Sequence, residues 1–318
     1  MIERPDASAL MAGPLGGWLE AQNAARAEAK AKARTRQMIG IGAACAVAMV
    51  VILLGGEIVM ALQLGFFTGA GGFGWAEFAK RPVINRLKGG INGAIAEALG
   101  LKYSVEVTPG QSFQQAKDFE LLPSYDNASF QDLWWGQVGD RPFTLHEARL
   151  TEERGSGKSR RTVTVFEGSI LLIGFNRKFL GTTLVERQGQ HRSLLGLGSE
   201  RDEVTIAGIS LTRADMTDPR FEDRFTVWSN DAVEARYLVH PDYIERLVKV
   251  EEAFAGQKIR ALFQDGDLLI AVETGDMFES GSLESGEDRA LLERTIQQFG
   301  ALADLASQLN ERPRAGFN

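Results

Sequence analysis

The chain has 318 residues, and 42 acidic against 35 basic side chains give it a formal net charge of −7 at pH 7. Hydrophobic residues make up 44% and charged residues 24% of the sequence, which excludes a wholly disordered or collagen-like chain. The mean hydropathy of −0.13 excludes a mostly membrane-embedded protein, and the single cysteine excludes an intramolecular disulfide framework.

The first predicted element is a helix over residues 17–37, which are rich in Ala, Glu, Lys and Arg. The segment lacks a broad apolar stripe, so the helix is predicted to be exposed to solvent. The sixteen residues before it are predicted to be mobile.

An uncharged block follows from Met38 to Gly56, and its 19 residues are enough for a helix to cross a hydrocarbon core of about 30 Å. A cleaved signal peptide is rejected because 37 residues precede the block. A buried core helix rarely stays uncharged on every face, so we interpret the block as a membrane span. Cys45 lies inside it and is most simply a small apolar residue.

A second uncharged stretch of 18 residues runs from Ile58 to Trp75, and it allows two topologies. In the first, Gly55-Gly56-Glu57 is the turn of a helical hairpin that crosses the membrane twice. In the second, one span runs from about Met38 to Leu64, and residues 66–75 form an interfacial loop. Five glycines between Gly65 and Gly74 are expected to weaken a second helix.

Basic residues flank the two apolar stretches on both outer sides and favour the hairpin, with both ends cytoplasmic. The single span, which would place the C-terminal part outside, stays open. Residues 1–37 carry a net charge of +2 and residues 80–100 one of +3, whereas residues 101–318 carry −10. This acidic balance argues against nucleic acid as a partner. The flanking basic residues are Arg26, Lys30, Lys32, Arg34 and Arg36 before the block, and Lys80, Arg81, Arg86 and Lys88 after it.

Residues 77–100 are predicted to be an amphipathic juxtamembrane segment, in which Pro82 is placed to begin a helix and Gly89-Gly90 to bend it. This helix is expected either to lie on the bilayer or to pack against the folded domain. Its apolar residues recur at helical spacing: Val83, Ile84, Leu87, Ile91, Ile95 and Leu99.

From Tyr103 onward the pattern becomes typical of strands. Residues 154–159 read as a flexible hairpin loop, and residues 188–202 as a mobile connection. Asp265-Gly266 is the strongest hairpin signal, because it accepts the positive φ angles of a type I′ turn between strands 258–264 and 267–273. The other predicted strands are Pro142–Thr151, Arg161–Asn176, Thr182–Arg187, Glu203–Thr212 and Phe225–Ser229.

Two helices are predicted in the second half, from Pro241 to about Ala255 and from about Gly286 to Leu309. The order of strands, helix, hairpin and helix predicts an α+β fold with a mainly antiparallel sheet. The chain is therefore divided into a polar N-terminal segment (1–37), membrane segment (38–76), amphipathic helix (77–100) and acidic α+β domain (101–318).

No catalytic, cofactor or metal site can be assigned from motifs. Residues 155–159 resemble the end of a phosphate-binding loop, but Glu152 stands where its first glycine is required and a β-rich run follows. The three histidines, His146, His191 and His240, are not at metal-ligand spacing. We therefore expect no cofactor and no metal, and a non-enzymatic protein is favoured.

The densest aromatic cluster surrounds Trp134 and Trp135. The simpler interpretation is that one ring is buried and the other lies at the surface. A platform for a partner or ligand is the alternative.

The residues from about 80 to 310 resemble a bacterial family of membrane-anchored proteins known as domain of unknown function 3137. The resemblance implies an N-terminal membrane hairpin followed by this domain, and it supplies no catalytic residues. Its most specific part is Glu234-Ala-Arg-Tyr237. The other carrying residues are Phe113–Phe119, Tyr125, Gly136, Gly139, Phe143, Glu147, Val165–Gly168, Phe179, Asp218–Glu222, Phe225, Asp231, Pro241, Leu268–Ala271 and Phe278.

Glu234 and Arg236 alternate in this stretch and would share one face of an extended segment, as an ion pair or a cap. Together with Trp134 and Trp135 they are the candidate interaction surface. We expect an integral protein of the bacterial inner membrane whose partners are the lipid bilayer and another protein. The alternative is a membrane-anchored enzyme or small-ligand sensor whose site follows no motif.

Overall fold

A computed structural model describes residues 4–138, 141–175, 178–191, 201–216, 224–239, 243 and 258–310. The chain divides into two compact units. The hairpin unit consists of Asp6–Ala94 and Glu279–Arg294, and the sheet unit consists of Met1–Pro5, Ile95–Phe278 and Thr295–Asn318.

The helices of the described part are α1 (Ala7–Ala12), α2 (Pro14–Ala21), α3 (Asn23–Leu53), α4 (Ile58–Ala98), α5 (Gln111–Asp118), α6 (Ala232–Leu238) and α7 (Asp288–Asn310). The strands are β1 (Leu101–Glu106), β2 (Asn127–Val138), β3 (Arg141–Arg154), β4 (Arg161–Gly174), β5 (Thr183–Arg187), β6 (Glu203–Ile206), β7 (Ile209–Arg213), β8 (Phe225–Ser229), β9 (Ile259–Gln264) and β10 (Asp267–Glu273).

In the hairpin unit, α3 and α4 pack closely side by side. A Cβ added to Gly72 would lie 2.5 Å from the Cα of Gly40, and one added to Gly69 would lie 3.6 Å from the Cβ of Ala44. Contacts at 40 with 72 and at 44 with 69 show that the two helices run antiparallel. The glycines expected to weaken the second helix therefore lie inside a complete helix, where small residues allow backbones to approach.

The turn between the two helices includes Gly55, whose φ of +77° favours glycine. Because α3 ends at Leu53, the continuous helix to Leu64 that the single-span topology requires is not formed. The juxtamembrane helix also does not begin at Pro82, since α4 runs through this residue. A proline removes one backbone N–H, and the neighbouring turns of this long helix hold the helical path around it.

The N-terminal segment is more ordered and less exposed than predicted. Asp6 caps α1 by accepting a hydrogen bond from the Ser8 N–H at 2.9 Å. Arg26 is buried in α3, and its Nη2 donates to both carboxylate oxygens of Asp288, at 2.7 and 2.9 Å. Composition alone could not reveal this burial, because its partner lies 262 residues away.

The ten described strands form one antiparallel sheet in the order β1-β2-β3-β4-β10-β9-β5-β8-β7-β6. The predicted α+β class is confirmed. The Asp265-Gly266 turn joins β9 to β10, and both residues have positive φ angles, of 54° and 96°. The predicted strand 203–212 is instead the hairpin β6–β7, since Ala207 and Gly208 form a turn with φ angles of 50° and 77°.

Both faces of the sheet are covered. On one face, Phe113 of α5 belongs to a core cluster with Leu184, Trp228 and Leu262. On the other face, Phe299 of α7 lies with its ring centroid 4.8 Å from that of Trp134. The predicted helix from Pro241 to Ala255, residues 192–200 of the predicted loop and the stretch Asp218–Glu222 fall outside the described residues, apart from Tyr243.

Candidate functional site

The exterior of the α3–α4 pair is apolar. Within the described residues, only 6% of the most apolar stretch of α3 and 11% of the most apolar stretch of α4 is buried. Large side chains point outward, whereas glycine and alanine form the contact between the helices. The exposed large residues of this region are Met38, Ile39, Ile41, Met49, Val50, Ile52, Leu53, Leu54, Ile58, Val59, Met60, Leu62, Leu64, Phe66, Phe67, Phe73, Trp75 and Phe78.

The dimensions of this hairpin match a bilayer. About eighteen residues separate Arg36 from the turn at Leu54, which at 1.5 Å per residue is roughly 27 Å. The hydrocarbon core of a bilayer is about 30 Å thick. Charged residues stand only at the two ends of this distance, with Arg36 and Glu77 at one end and Glu57 at the turn.

The sheet unit contains a polar groove of about 840 Å³. Its walls come from α5, the segment after α5, β5 with the residues that follow it, and β9. The strands β5 and β9 are paired in the sheet, and Arg260 of β9 binds the carbonyl oxygens of the segment after α5. The lining residues are Lys117, Glu120, Leu122, Pro123, Ser124, Tyr125, Asp126, Glu186, Gln190, His191 and Arg260.

A buried carboxylate lies at the base of this groove. Glu186 accepts a hydrogen bond from Trp228 Nε1 at 2.9 Å, and its Oε1 lies 3.0 Å from Nε2 of His191. The Glu186 carboxylate beside Nε2 of His191 raises the pKa of the imidazole above its usual value, although partial burial opposes the shift. The Glu186 carboxylate therefore favours the protonated, positively charged form of this histidine.

Arg260 and Lys117 add fixed positive charge to the groove. Arg260 Nη1 donates to the carbonyl oxygens of Glu120 and Leu121, at 3.0 and 3.1 Å, and its Nη2 donates to Gln190 at 3.1 Å. Lys117 is exposed, and its Nζ lies 5.7 Å from the ring centroid of Tyr125. The groove thus presents charges of both signs, an arrangement suited to a polar ligand or a polar segment of another protein.

A second cleft, of about 160 Å³, lies beside Glu147. The buried Glu147 carboxylate accepts hydrogen bonds from the Met277 N–H at 2.8 Å and from Gln131 Nε2 at 3.3 Å. These bonds hold the chain after β10, so the carboxylate serves the fold. Among the described residues, no group of three or more His, Cys, Asp or Glu side chains is placed to hold a metal ion.

The four residues of the predicted interaction surface do not lie together. Trp134 is completely buried under Phe278 and Phe299, and Trp135 is partly buried. These tryptophans are on β2, whereas α6 follows β8, six strand positions away in the sheet. At 4.8 Å per strand that separation is about 29 Å along the sheet.

Glu234 and Arg236 lie on helix α6, so the predicted extended segment is wrong. Asp231 starts this helix by accepting from the N–H groups of Val233 and Glu234. The Glu234 carboxylate accepts from the N–H groups of Leu180 and Gly181, each at 2.8 Å, and Arg236 Nε donates to the Asp215 carbonyl at 3.2 Å. Both side chains therefore stabilise neighbouring loops.

Residues 164–311 match the model of a family described as "Protein of unknown function (DUF3137)". The predicted resemblance is confirmed over this region. The family match begins within β4 and extends just past α7, a shorter stretch than the resemblance noted from residue 80. It includes Glu186, His191 and Arg260 of the groove but not Lys117.

No curated protein matches the sequence. A solved structure with some similarity is the crystal structure of the mycobacterial trehalose monomycolate transport factor A, TtfA. The similarity covers 73% of this chain and 98% of that chain, at 10% sequence identity and a TM-score of 0.37. At that TM-score the likeness carries no argument about this chain.

Proposed function

We propose that the protein is an integral membrane protein that crosses the bilayer twice and displays its sheet unit for recognition of a partner. The observation that carries the proposal is the arrangement of side chains on α3 and α4, with large apolar residues outside and small residues between the helices. In water this arrangement would leave a large apolar surface unburied. In lipid it is the expected one, because helix pairs there associate through close backbone packing.

A soluble core helix and a cleaved signal both fit this hairpin less well than a membrane span. The core helix of a soluble protein is mostly buried, whereas these apolar windows are 6% and 11% buried within the described residues. A cleaved signal would remove α3 and leave Gly65, Gly69 and Gly72 of α4 without the helix against which they pack. Basic residues beside both helices favour a cytoplasmic position for the two ends of the hairpin.

Cysteine labelling tests this topology. Cys45 is the single cysteine and lies within the apolar part of α3. In intact membranes a maleimide should not modify it, and denaturation should expose it, because the reactive thiolate does not form in hydrocarbon. Rapid labelling of Cys45 by a water-soluble maleimide in intact membranes would contradict the membrane hairpin.

The side of the membrane can be read from two introduced cysteines in a C45S background. Thr35 is exposed on α3, and Ala128 is exposed near the start of β2, so each is replaced by cysteine in turn. Both should be modified only after the membrane is made permeable. Modification of Ala128→Cys alone in sealed cells would instead support a single span with the domain outside.

A second function, recognition through the groove, is supported by the convergence of Lys117, His191 and Arg260 on one 840 Å³ space. We expect Lys117→Glu to abolish the recovery of a protein partner from detergent extracts of the full chain. The matched control is Lys102→Glu, an equally exposed lysine on β1. Equal recovery with both variants would remove the groove as the recognition site.

A further inference from the structure

The basic residues of the hairpin unit differ in the partners they contact. Four that lie farther from the apolar stretches than Arg36 and Arg81 form salt bridges with carboxylates within the unit. The pairs are Arg26 with Asp288, Lys30 with Glu284, Lys32 with Glu28, and Lys88 with Glu279.

Arginines beside the apolar spans show a different pattern. Arg36 Nη1 donates to the Trp75 carbonyl oxygen at 3.0 Å, and its guanidinium carbon lies 4.9 Å from the centroid of the Trp75 ring. The guanidinium carbon of Arg81 lies 4.9 Å from the centroid of the Phe78 ring. Within the described residues, neither arginine forms a salt bridge with a carboxylate of this chain.

These two guanidinium groups lie at nearly the same level of the hairpin. The rings over which they lie, Trp75 and Phe78, are three residues apart on α4, or about 4.5 Å along the helix axis. The carboxylate of Glu77 in the same region is paired with Lys80 at 2.6 Å. The basic residues Arg34, Arg36, Lys80 and Arg81 therefore leave a net charge of +3 around this end of the apolar helices.

We propose that Arg36 and Arg81 bind the phosphate groups of anionic phospholipids at the open end of the hairpin, a site that rests on the proposed membrane span. Each guanidinium carries five N–H donors in a planar fork that matches phosphate oxygens. The aromatic rings hold these planes at the depth where tryptophan side chains and phospholipid headgroups meet. Arg26, Lys30, Lys32 and Lys88 instead have carboxylate partners within the unit.

The full chain, purified in detergent, is titrated with a fluorescent phosphatidylglycerol and with its phosphatidylcholine analogue. We expect the wild-type protein to prefer phosphatidylglycerol, and the double variant R36Q/R81Q to lose that preference by a factor on the order of ten or more. The control K30Q/K32Q removes two charges that are paired with carboxylates and should keep the preference. R36K/R81K, which keeps the charge without the planar fork, should give an intermediate value.

Three results would overturn the proposal: an unchanged preference in R36Q/R81Q, an equal loss in K30Q/K32Q, or full displacement of the lipid by millimolar inorganic phosphate. The last result would assign the site to free phosphate. The protection of Cys45 from maleimide labelling in intact membranes is measured on the same variants. Loss of preference with Cys45 still protected supports the headgroup site, whereas a labelled Cys45 in the wild type would show that the membrane span itself fails.

Discussion

The hairpin unit and the sheet unit use the same large apolar residues in opposite positions. In the α3–α4 pair, Leu53 and Phe66 are exposed while Gly40 and Gly72 make the closest contact. In the sheet unit, tryptophan and phenylalanine fill the interior and charged residues line the surface groove. The difference supports the proposed membrane span, because burial of large side chains drives folding in water and close packing of small ones drives helix association in lipid.

The largest expected difference between the units comes from removing a large apolar side chain in each. Trp134→Ala should lower the free energy of unfolding by about 3–5 kcal/mol, because Phe278 and Phe299 would border a cavity. Leu54→Ala removes a side chain that is 82% exposed and should change stability by less than about 0.5 kcal/mol.

Both variants are measured on the full chain in detergent micelles, by chemical unfolding followed by circular dichroism. A loss at Leu54 comparable with that at Trp134 would mean that the hairpin exterior packs against protein. The comparison between the two units would then fail.

The second difference is the pH dependence of stability, which we expect from two histidines of the sheet unit. Burial lowers the pKa of His146 from 6.5 to about 4. Between these pH values the unfolded chain binds a proton at His146 that the folded chain excludes. The contribution of neutral His146 to the free energy of unfolding is therefore fully present above pH 6.5 and decreases as the pH falls. The loss reaches about 3 kcal/mol near pH 4.

His191 has the opposite sign. Its pKa is raised by the adjacent Glu186 carboxylate, so its contribution to stability is fully present below pH 6.5 and is lost as pH rises through the raised value. Unfolding curves should lose their slope between pH 4 and 6.5 in His146→Leu, and their slope above pH 6.5 in His191→Gln. An acid slope that survives in His146→Leu would assign it to carboxylates.

Features determined by neighbouring residues can be predicted from this sequence, whereas features determined by contacts between distant segments cannot. The uncharged stretches and the Asp265-Gly266 turn are local patterns, and the structure has both. The sheet order is not local, since β4 pairs with β10 and β5 pairs with β9 across long sequence separations.

The groove cannot be predicted from the sequence for the same reason. Lys117, His191 and Arg260 come from three distant segments, and no spacing in the sequence links them. Of the groove residues His191 gives a signal, as one of three histidines in the chain, but histidine count alone assigns no site. The extended segment predicted for Glu234 and Arg236 is wrong because alternation over four residues cannot be told from one turn of a helix.

A smaller effect tests the close helix contact. Gly72→Leu would place a Cβ 2.5 Å from the Cα of Gly40 and should destabilise the helix pair by about 1–3 kcal/mol. Gly71→Leu is the matched control, because a Cβ there meets no atom within 4 Å. Titration with sodium dodecyl sulfate measures the unfolding midpoint, and equal midpoints for the two variants would contradict the antiparallel contact.

The smallest expected effect is a change in stability at Gln63, and its sign depends on whether lipid or water surrounds that residue. Gln63 is a polar residue on the exposed surface of α4, and Gln63→Leu should raise the stability of the protein in lipid bilayers by about 0.5 kcal/mol. The reciprocal change, Leu180→Gln in the sheet unit, replaces a side chain that is 89% exposed and should alter stability by less than about 0.5 kcal/mol. If Gln63→Leu instead caused aggregation of the reconstituted protein, α4 would be facing water at that position. Stabilisation at Gln63 with no penalty at Leu180 is the pair of results expected for lipid around the hairpin and water around the sheet unit.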